Sequence, residues 1–342
     1  MKKRILIIIS FVLILCGCYD YRELNDMSIV TGIGIDYQDN EYEVSLEVTK
    51  SIKEGSSQKL ETIIYTGKDK FIAEAFLKAK NMSDKYVYTE HVNVLLVSKK
   101  LAENGVSKVI DYIVRETSIN NNYNMIVVDN PKEILEKKLE NDTMSNLITN
   151  TVNYYLDNTS FDDLDIMASY MINKRDDIAV PIISMVEDKV NFDKVAYFDG
   201  DKCVGDIDSK LYSLLRLNSS NINFSKNGNT VSILNNEVKY EIKNDEIIIK
   251  VTGEGLVKEI NKQINLEDDD SYSYLERIIS KGMKSEIDSF LEISLSNGSD
   301  LLGLQDKYYK KYKKNMKDIK YKVDVDITIT KNGTIYGVLY DK

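Results

Sequence analysis

From residue 28 onward the chain switches repeatedly between a period of two and a period near 3.6. Residues 29–36 form an apolar run that predicts a strand. Tyr42, Val44, Leu46 and Val48 alternate with Glu41, Glu43, Ser45 and Glu47, which predicts a second strand with one face in water. Gln38-Asp39-Asn40 supplies the turn between them, and residues 63–66 predict a third strand. Asp69 is placed to cap a helix with Phe71, Ile72, Ala75, Phe76 and Ala79 on one face. Residues 91–97 read as a buried strand. Ser98 then caps a helix that turns Leu101, Val106, Val109, Ile110, Ile113 and Val114 inward. Residues 124–128 form another apolar strand, and Asp129-Asn130-Pro131 opens the next helix with proline in its first turn. Helical stretches follow over 145–156 and 161–172. Residues 178–185 are extended, with Pro181 pointing to a sheet edge.

A composition shift near 187–192 marks a boundary. Residues 195–198 and 202–204 predict a hairpin around Asp199-Gly200. A short helix over 211–217 precedes strands near Ile222 and over 231–234, 237–243 and 246–252, with Asn244-Asp245 as the last turn. Leu275, Ile278, Ile279, Met283, Ile287, Phe290 and Leu291 make one stripe of a long helix over 271–295. It opens on the acidic run 267–270 and stops at Asn297-Gly298. A second helix is predicted over 300–317. Val323, Val325, Ile327 and Ile329 then alternate with polar residues before an Asn332-Gly333 turn and a returning strand. Strands joined by hairpin turns with long helices between them predict an α+β fold: multi-domain mixed sheets with packed helices, largely antiparallel hairpins and a long helix in the C-terminal domain.

The first twenty residues change the picture. Lys2, Lys3 and Arg4 precede an apolar run over 5–15 that is too short to cross a bilayer, which needs about 20 residues. The run ends in Leu15-Cys16-Gly17-Cys18, the pattern of a bacterial lipobox. Cleavage is expected between Gly17 and Cys18, with Cys18 taking an S-diacylglyceryl group and an N-acyl chain. The expected organisation is a leader over 1–17, a lipid anchor and tether over 18–27, an N-terminal α/β region over 28–190 with room for two subdomains, and a C-terminal α+β domain over 191–342.

The 342 residues carry 45 Lys and Arg against 55 Asp and Glu, a net charge of −10. Loss of the leader removes three cations and leaves −13. An anionic leaflet repels such a body, so the lipid must hold it. Two acyl chains suffice, at about 0.8 kcal/mol per buried methylene. The acidity also argues against nucleic acid as a partner, because phosphate contacts need clustered Lys and Arg.

Little catalytic chemistry is legible. The chain has one histidine, His91, and three cysteines, which leaves no multi-Cys/His metal site and no internal disulfide once Cys18 is acylated. Cys203 reads as a semi-buried strand residue, and His91 as structural. Gly32-Ile33-Gly34 lacks the third glycine and the following helix of a dinucleotide fingerprint, so it reads as close strand packing or a bulge. Asp268-Asp269-Asp270 reads as a solvated helix start. Lys307 to Lys320 with Tyr308, Tyr309 and Tyr312 form a basic, aromatic helix and exit, read as a solvated face with the tyrosines packed inward. No catalytic residue, metal or cofactor is expected.

Cys18-Tyr19-Asp20-Tyr21-Arg22-Glu23-Leu24, followed by Ile29-Val30-Thr31-Gly32-Ile33-Gly34-Ile35-Asp36, resembles the opening of the Ger(x)C family, the GerAC-like C-subunit lipoproteins of spore germinant receptors. Tyr19 stands where the family usually has tryptophan. Glu90-His91-Val92, the segment 195–205 and Ser299-Asp300-Leu301-Leu302-Gly303-Leu304 are also similar to the family. The resemblance implies a non-enzymatic subunit, lipid-anchored on the outer face of the spore inner membrane. Its implied partners are integral-membrane A and B subunits in a complex that responds to small nutrients. Direct nutrient binding by this subunit is left open. The alternative is a solute-binding lipoprotein of a transporter.

Overall fold

The structure is a computed structural model that describes residues 26–330 except 55–56, 117, 120–122, 156–163, 174–176, 188, 218–221, 262–263, 265 and 267–268. Two sheets organise it. The first is built from β1 (Met27–Gln38), β2 (Glu41–Glu54), β3 (Ser57–Asp69), β4 (Tyr86–Tyr88), β5 (Val94–Ser98), β6 (Asn124–Val128), β7 (Ala179–Val186), β8 (Lys189–Asp199) and β9 (Lys202–Asp208). Its order is β3-β2-β1-β5-β6-β7-β8-β9, with β4 beside β1. The centre, β1-β5-β6-β7, is parallel, and antiparallel hairpins flank it on both sides. The sequence led one to expect mixed sheets built largely from antiparallel hairpins, and the flanks of this sheet are such hairpins. The parallel centre follows from β5 and β6, whose continuous apolar runs belong to strands covered on both faces.

Helices make those covers. α1 (Ile72–Lys80) packs on β2 and β3; α2 (Lys99–Asn104) and α3 (Ser107–Arg115) cross from β5 to β6. α4 (Pro131–Leu135), α5 (Met144–Tyr155) and α6 (Leu164–Asn173) cross from β6 to β7. Helices start as expected at Ser98 and at Asp129-Asn130-Pro131, whereas Asp69 does not cap α1: that helix opens at Phe71 with no side-chain cap bond, and Asp69 Oδ1 accepts from Phe71 N at 3.1 Å. Ser98 Oγ accepts from Leu101 N at 3.1 Å, and Asn130 Oδ1 from Glu133 N at 3.1 Å, with Pro131 at the first position. The helix expected after Ser98 breaks in two at Gly105, whose φ of +123° no helix accommodates.

Two local expectations are corrected. The polar face of β2 is in water only at its start: Glu41 is exposed and Glu43 half-buried, but Ser45 and Glu47 are fully buried. A second helical layer, α4 and α5, lies on that face, and sequence alternation cannot see it. Pro181 is not at an edge either. β7 lies between β6 and β8, but it pairs with β6 only at Val127↔Ile182, so the missing N–H costs little there. The glycines near the start do both things expected of them. The register shifts between Val30 and Gly32, and a Cβ on Gly34 would lie 2.9 Å from Pro131 Cβ.

The second sheet has the order β10 (Ile222–Lys226), β11 (Asn229–Lys243), β12 (Glu246–Glu259) and β13 (Tyr321–Ile329), joined to the first through α7 (Ser209–Leu217). Asn244 and Asp245, at φ +50° and +58°, turn β11 into β12. The long α8 (Asp269–Ser296) lays Leu275, Ile279, Met283, Ile287 and Leu291 on the sheet. It also guards the sheet's edge. Ile327 N donates to Ser280 Oγ at 3.1 Å, Ile329 N to a Glu276 oxygen at 2.8 Å, and Lys284 Nζ to Val323 O at 2.6 Å. The helix expected over 300–317 is shorter, α9 (Leu304–Tyr312), and ends with Lys313 at φ +55°. Beyond it, Lys313, Lys314 and Lys317 would crowd like charges at helical spacing. The predicted Asn332-Gly333 turn and returning strand lie outside the described residues.

The first sheet continues through Asp208, past the expected division at 190, because β8 hydrogen-bonds to β7 and β9 to β8.

Candidate functional site

The two sheets meet where the β8–β9 hairpin touches the end of α8 and the loop leading to α9. Tyr197 points from β8 and meets Phe290 of α8 edge to face at 5.8 Å. Its ring covers Gly205, where a side chain would collide with it. Asn297 bonds the Tyr197 phenol and donates from Nδ2 to Val204 O at 3.1 Å. Gly298, at φ +88°, brings the loop against the Asp199 carboxylate. Asp300 caps α9, accepting from Leu304 N at 2.8 Å and Gln305 N at 2.7 Å, while its own N–H donates to the Asp177 carboxylate. On the other side Asp201 holds the start of α3: its carbonyl accepts from Val106 N at 2.9 Å, and its carboxylate faces Gly105 and Ser107 N.

These contacts surround a cleft of about 1260 Å³ between the β8–β9 end of the first sheet and α9. Asp177, Asp199, Asp201 and Asp300 line one wall; Tyr309, Lys310 and Lys313 line another. Burial, aided by the neighbouring carboxylates Asp300 and Asp199, pushes Asp177 up to about 6. Lys310 pairs with Asp306 one turn back along α9 at 2.5 Å. The arrangement is a polar recess with fixed walls. Among the described residues no group of three or more His, Cys, Asp and Glu side chains has the geometry to hold a metal ion.

The residues singled out from sequence fall in several places. Gly17 and Cys18 lie outside the described residues. Cys203 is half-buried, its thiol aimed at Gly205 O at 3.6 Å and pushed up by burial. His91 is exposed against the Tyr88 ring at 5.4 Å. Neighbouring Glu90 accepts from the Tyr88 hydroxyl at 2.7 Å, so the two do not act as a pair. Asp268 is undescribed, and Asp269 opens α8. Of the three tyrosines of α9 only Tyr308 is packed inward, donating to Asp245 at 2.7 Å; Tyr309 and Tyr312 are exposed. Several lysines of that segment brace the fold. Lys307 reaches Leu302 O and lies over the Tyr240 ring, and Lys311 bonds Ile242 O.

Sequence reasoning did not mark Asp177 or Glu47. Glu47 reads as one of three glutamates on an exposed face. In the structure its carboxylate accepts from Thr31 Oγ1 at 2.9 Å, Met144 N at 2.7 Å and Ser145 N at 3.2 Å, capping α5 from a neighbouring strand. Burial raises its pKa, against the lowering effect of those bonds. Asp177 is a lone acid in a connection, and its signal exists only in three dimensions.

Comparison with known proteins places this arrangement. Residues 20–185 match the family described as spore germination protein N-terminal domain, and residues 193–333 match spore germination B3/GerAC like, C-terminal. The chain belongs to the GerAC-like spore germination proteins. Spore germination protein KC of Bacillus subtilis (strain 168) is 24% identical over 359 residues, covering 90% of this chain and 87% of that one. Spore germination protein GerQC of Bacillus cereus is 21% identical over 368 residues, covering 97% and 99%. The crystal structure of the GerBC protein superimposes with a TM-score of 0.52 at 15% identity, over 88% of this chain and 97% of that one, so the fold is shared. The two GerAC-like regions part between 185 and 193, at the β7–β8 turn. The C-terminal region thus begins with two strands that complete the N-terminal region's sheet. The segment 195–205 meets Asn297 and Gly298, just before 299–304, and Asp199 and Asp201 share the cleft with Asp300.

Proposed function

We propose that this GerAC-like protein is the lipid-anchored C subunit of a nutrient germinant receptor in the spore inner membrane, working by contact rather than catalysis. Cys18 holds the chain on the outer face of that membrane, and integral-membrane A and B subunits are its partners. The observation that carries this reading is the pair of family matches, which together span residues 20–333 apart from a short break and begin just after the lipobox cysteine. Among the described residues no helix is long and apolar enough to cross a membrane, which is consistent with attachment through a lipid. The transporter alternative calls for two similar α/β lobes around one cleft. The nine-stranded and four-stranded sheets here are unlike each other.

Replacing Cys18 with alanine in the sporulating cell tests the reading. The expected result is loss of the protein from the inner-membrane fraction together with a weakened response to nutrients. A full nutrient response from spores whose Cys18→Ala protein is soluble counts against it.

A further inference from the structure

The chain enters its first sheet at Met27, and the link from a lipid on Cys18 arrives at that point. From Tyr19 to Asp26 even an extended chain spans at most about 28 Å. The start of β1 therefore stays within that distance of the bilayer holding the lipid. Two other pieces of chain share this end. Met27 to Ile29 pair in parallel with Tyr86 to Tyr88. The loop before β4 is fastened there by the Ser83 and Ser28 hydroxyls at 2.8 Å and by Lys50 and Asp84 at 2.5 Å. β2 and β3 run on past the pair Thr49↔Thr62 to Glu54↔Ser57, so their hairpin projects about 10 Å beyond the start of β1.

The surface at this end has the character of an interfacial belt. Met82 is 57% exposed and Tyr86 50% exposed. Tyr88, two residues on, shares a face of β4 with Tyr86. Phenol rings present an apolar body with a polar tip, the chemistry that settles at the boundary between headgroups and acyl chains.

We propose that this end of the first sheet, presenting Met82, Tyr86 and Tyr88 beside the start of β1, is a lipid-contacting surface that rests in the headgroup layer of the bilayer. The inference rests on the Cys18 lipid proposed above. The sheet then stands on the membrane with β1 leading away from it. Phe71, 70% exposed just past the far end of β3, sits about 33 Å up the strands.

The chain has no tryptophan, so single substitutions give clean reporters. Tyr86→Trp, Met82→Trp and Phe71→Trp are made in the acylated mature protein and placed in phosphatidylcholine vesicles with and without brominated acyl chains. The mass of each sample is measured first. Acylated Tyr86→Trp and Met82→Trp are expected to emit at shorter wavelength on vesicles than in detergent-free buffer and to lose intensity to bromine, while Phe71→Trp does neither. Equal response at the two ends, or shielding of Phe71→Trp alone, overturns the lipid-contacting surface and leaves the anchor standing. A chain that carries no acyl group overturns the anchor and, with it, the surface.

Discussion

The nine-stranded sheet closes its layers over Glu47, Ser45 and Ser28, whereas the four-stranded sheet meets α8 through Ile233, Ile249, Val251 and Val323 against Leu275, Ile279, Met283 and Ile287. In the first, a carboxylate and two hydroxyl-bearing strands must find partners as the helices dock. Glu47 finds the start of α5, Ser45 bonds Thr66, and Ser28 bonds Ser83. In the second, the helix interior matches the sheet by area and shape, and its polar atoms are spent on the edge of β13. Polar docking is directional and sets where α5 sits; apolar docking supplies stability that does not depend on one angle.

Cutting into the apolar layer has the largest effect. Ile279→Ala removes a fully buried side chain from the centre of the α8 stripe, at about 4 kcal/mol. Hydrogen exchange should quicken in β10 to β13 and α8 much more than in β1 to β7. A uniform rise across both sheets would break the distinction between them. Glu47→Ala comes next, at about 3 kcal/mol, because it strands the N–H groups of Met144 and Ser145 in the interior. Its signature is local: exchange should rise first at the start of α5. Glu47→Gln keeps the shape and loses less.

The smallest effect lies at the junction. Asp177 is held near 6, above the usual carboxylate range, so between about pH 4 and 6 the folded chain binds a proton that the unfolded chain has released. Stability contributed there is complete at low pH, falls as pH rises through that window and is flat above it. Asp177→Asn should abolish this slope in pH-dependent denaturation. An unchanged slope would assign the titration to another group.

The sequence carried most of the strands, the caps at Ser98 and Asn130, the Asn244-Asp245 turn and the α8 stripe, because these are set by neighbours within a few residues. It could not carry the covering of the β2 polar face, since Glu47 meets α5 across almost a hundred residues. Pro181 misled for a related reason: a proline says that a donor is missing, not which side of the strand lacks a full ladder. At the junction, Asp199-Gly200 was legible as a turn and Asn297-Gly298 as a helix stop, but their meeting over Asp177 was not. The Lys-rich exit from α9 looked like one long helix because periodicity does not weigh repulsion between like charges.

The account stands or falls on the chemistry of one thiol. Intact-mass measurement of the protein taken from the inner membrane of dormant spores tests it most directly. The expected species begins at Cys18 and carries a diacylglyceryl thioether with an N-terminal acyl chain. A species of bare polypeptide mass, recovered from the soluble fraction, would contradict the account.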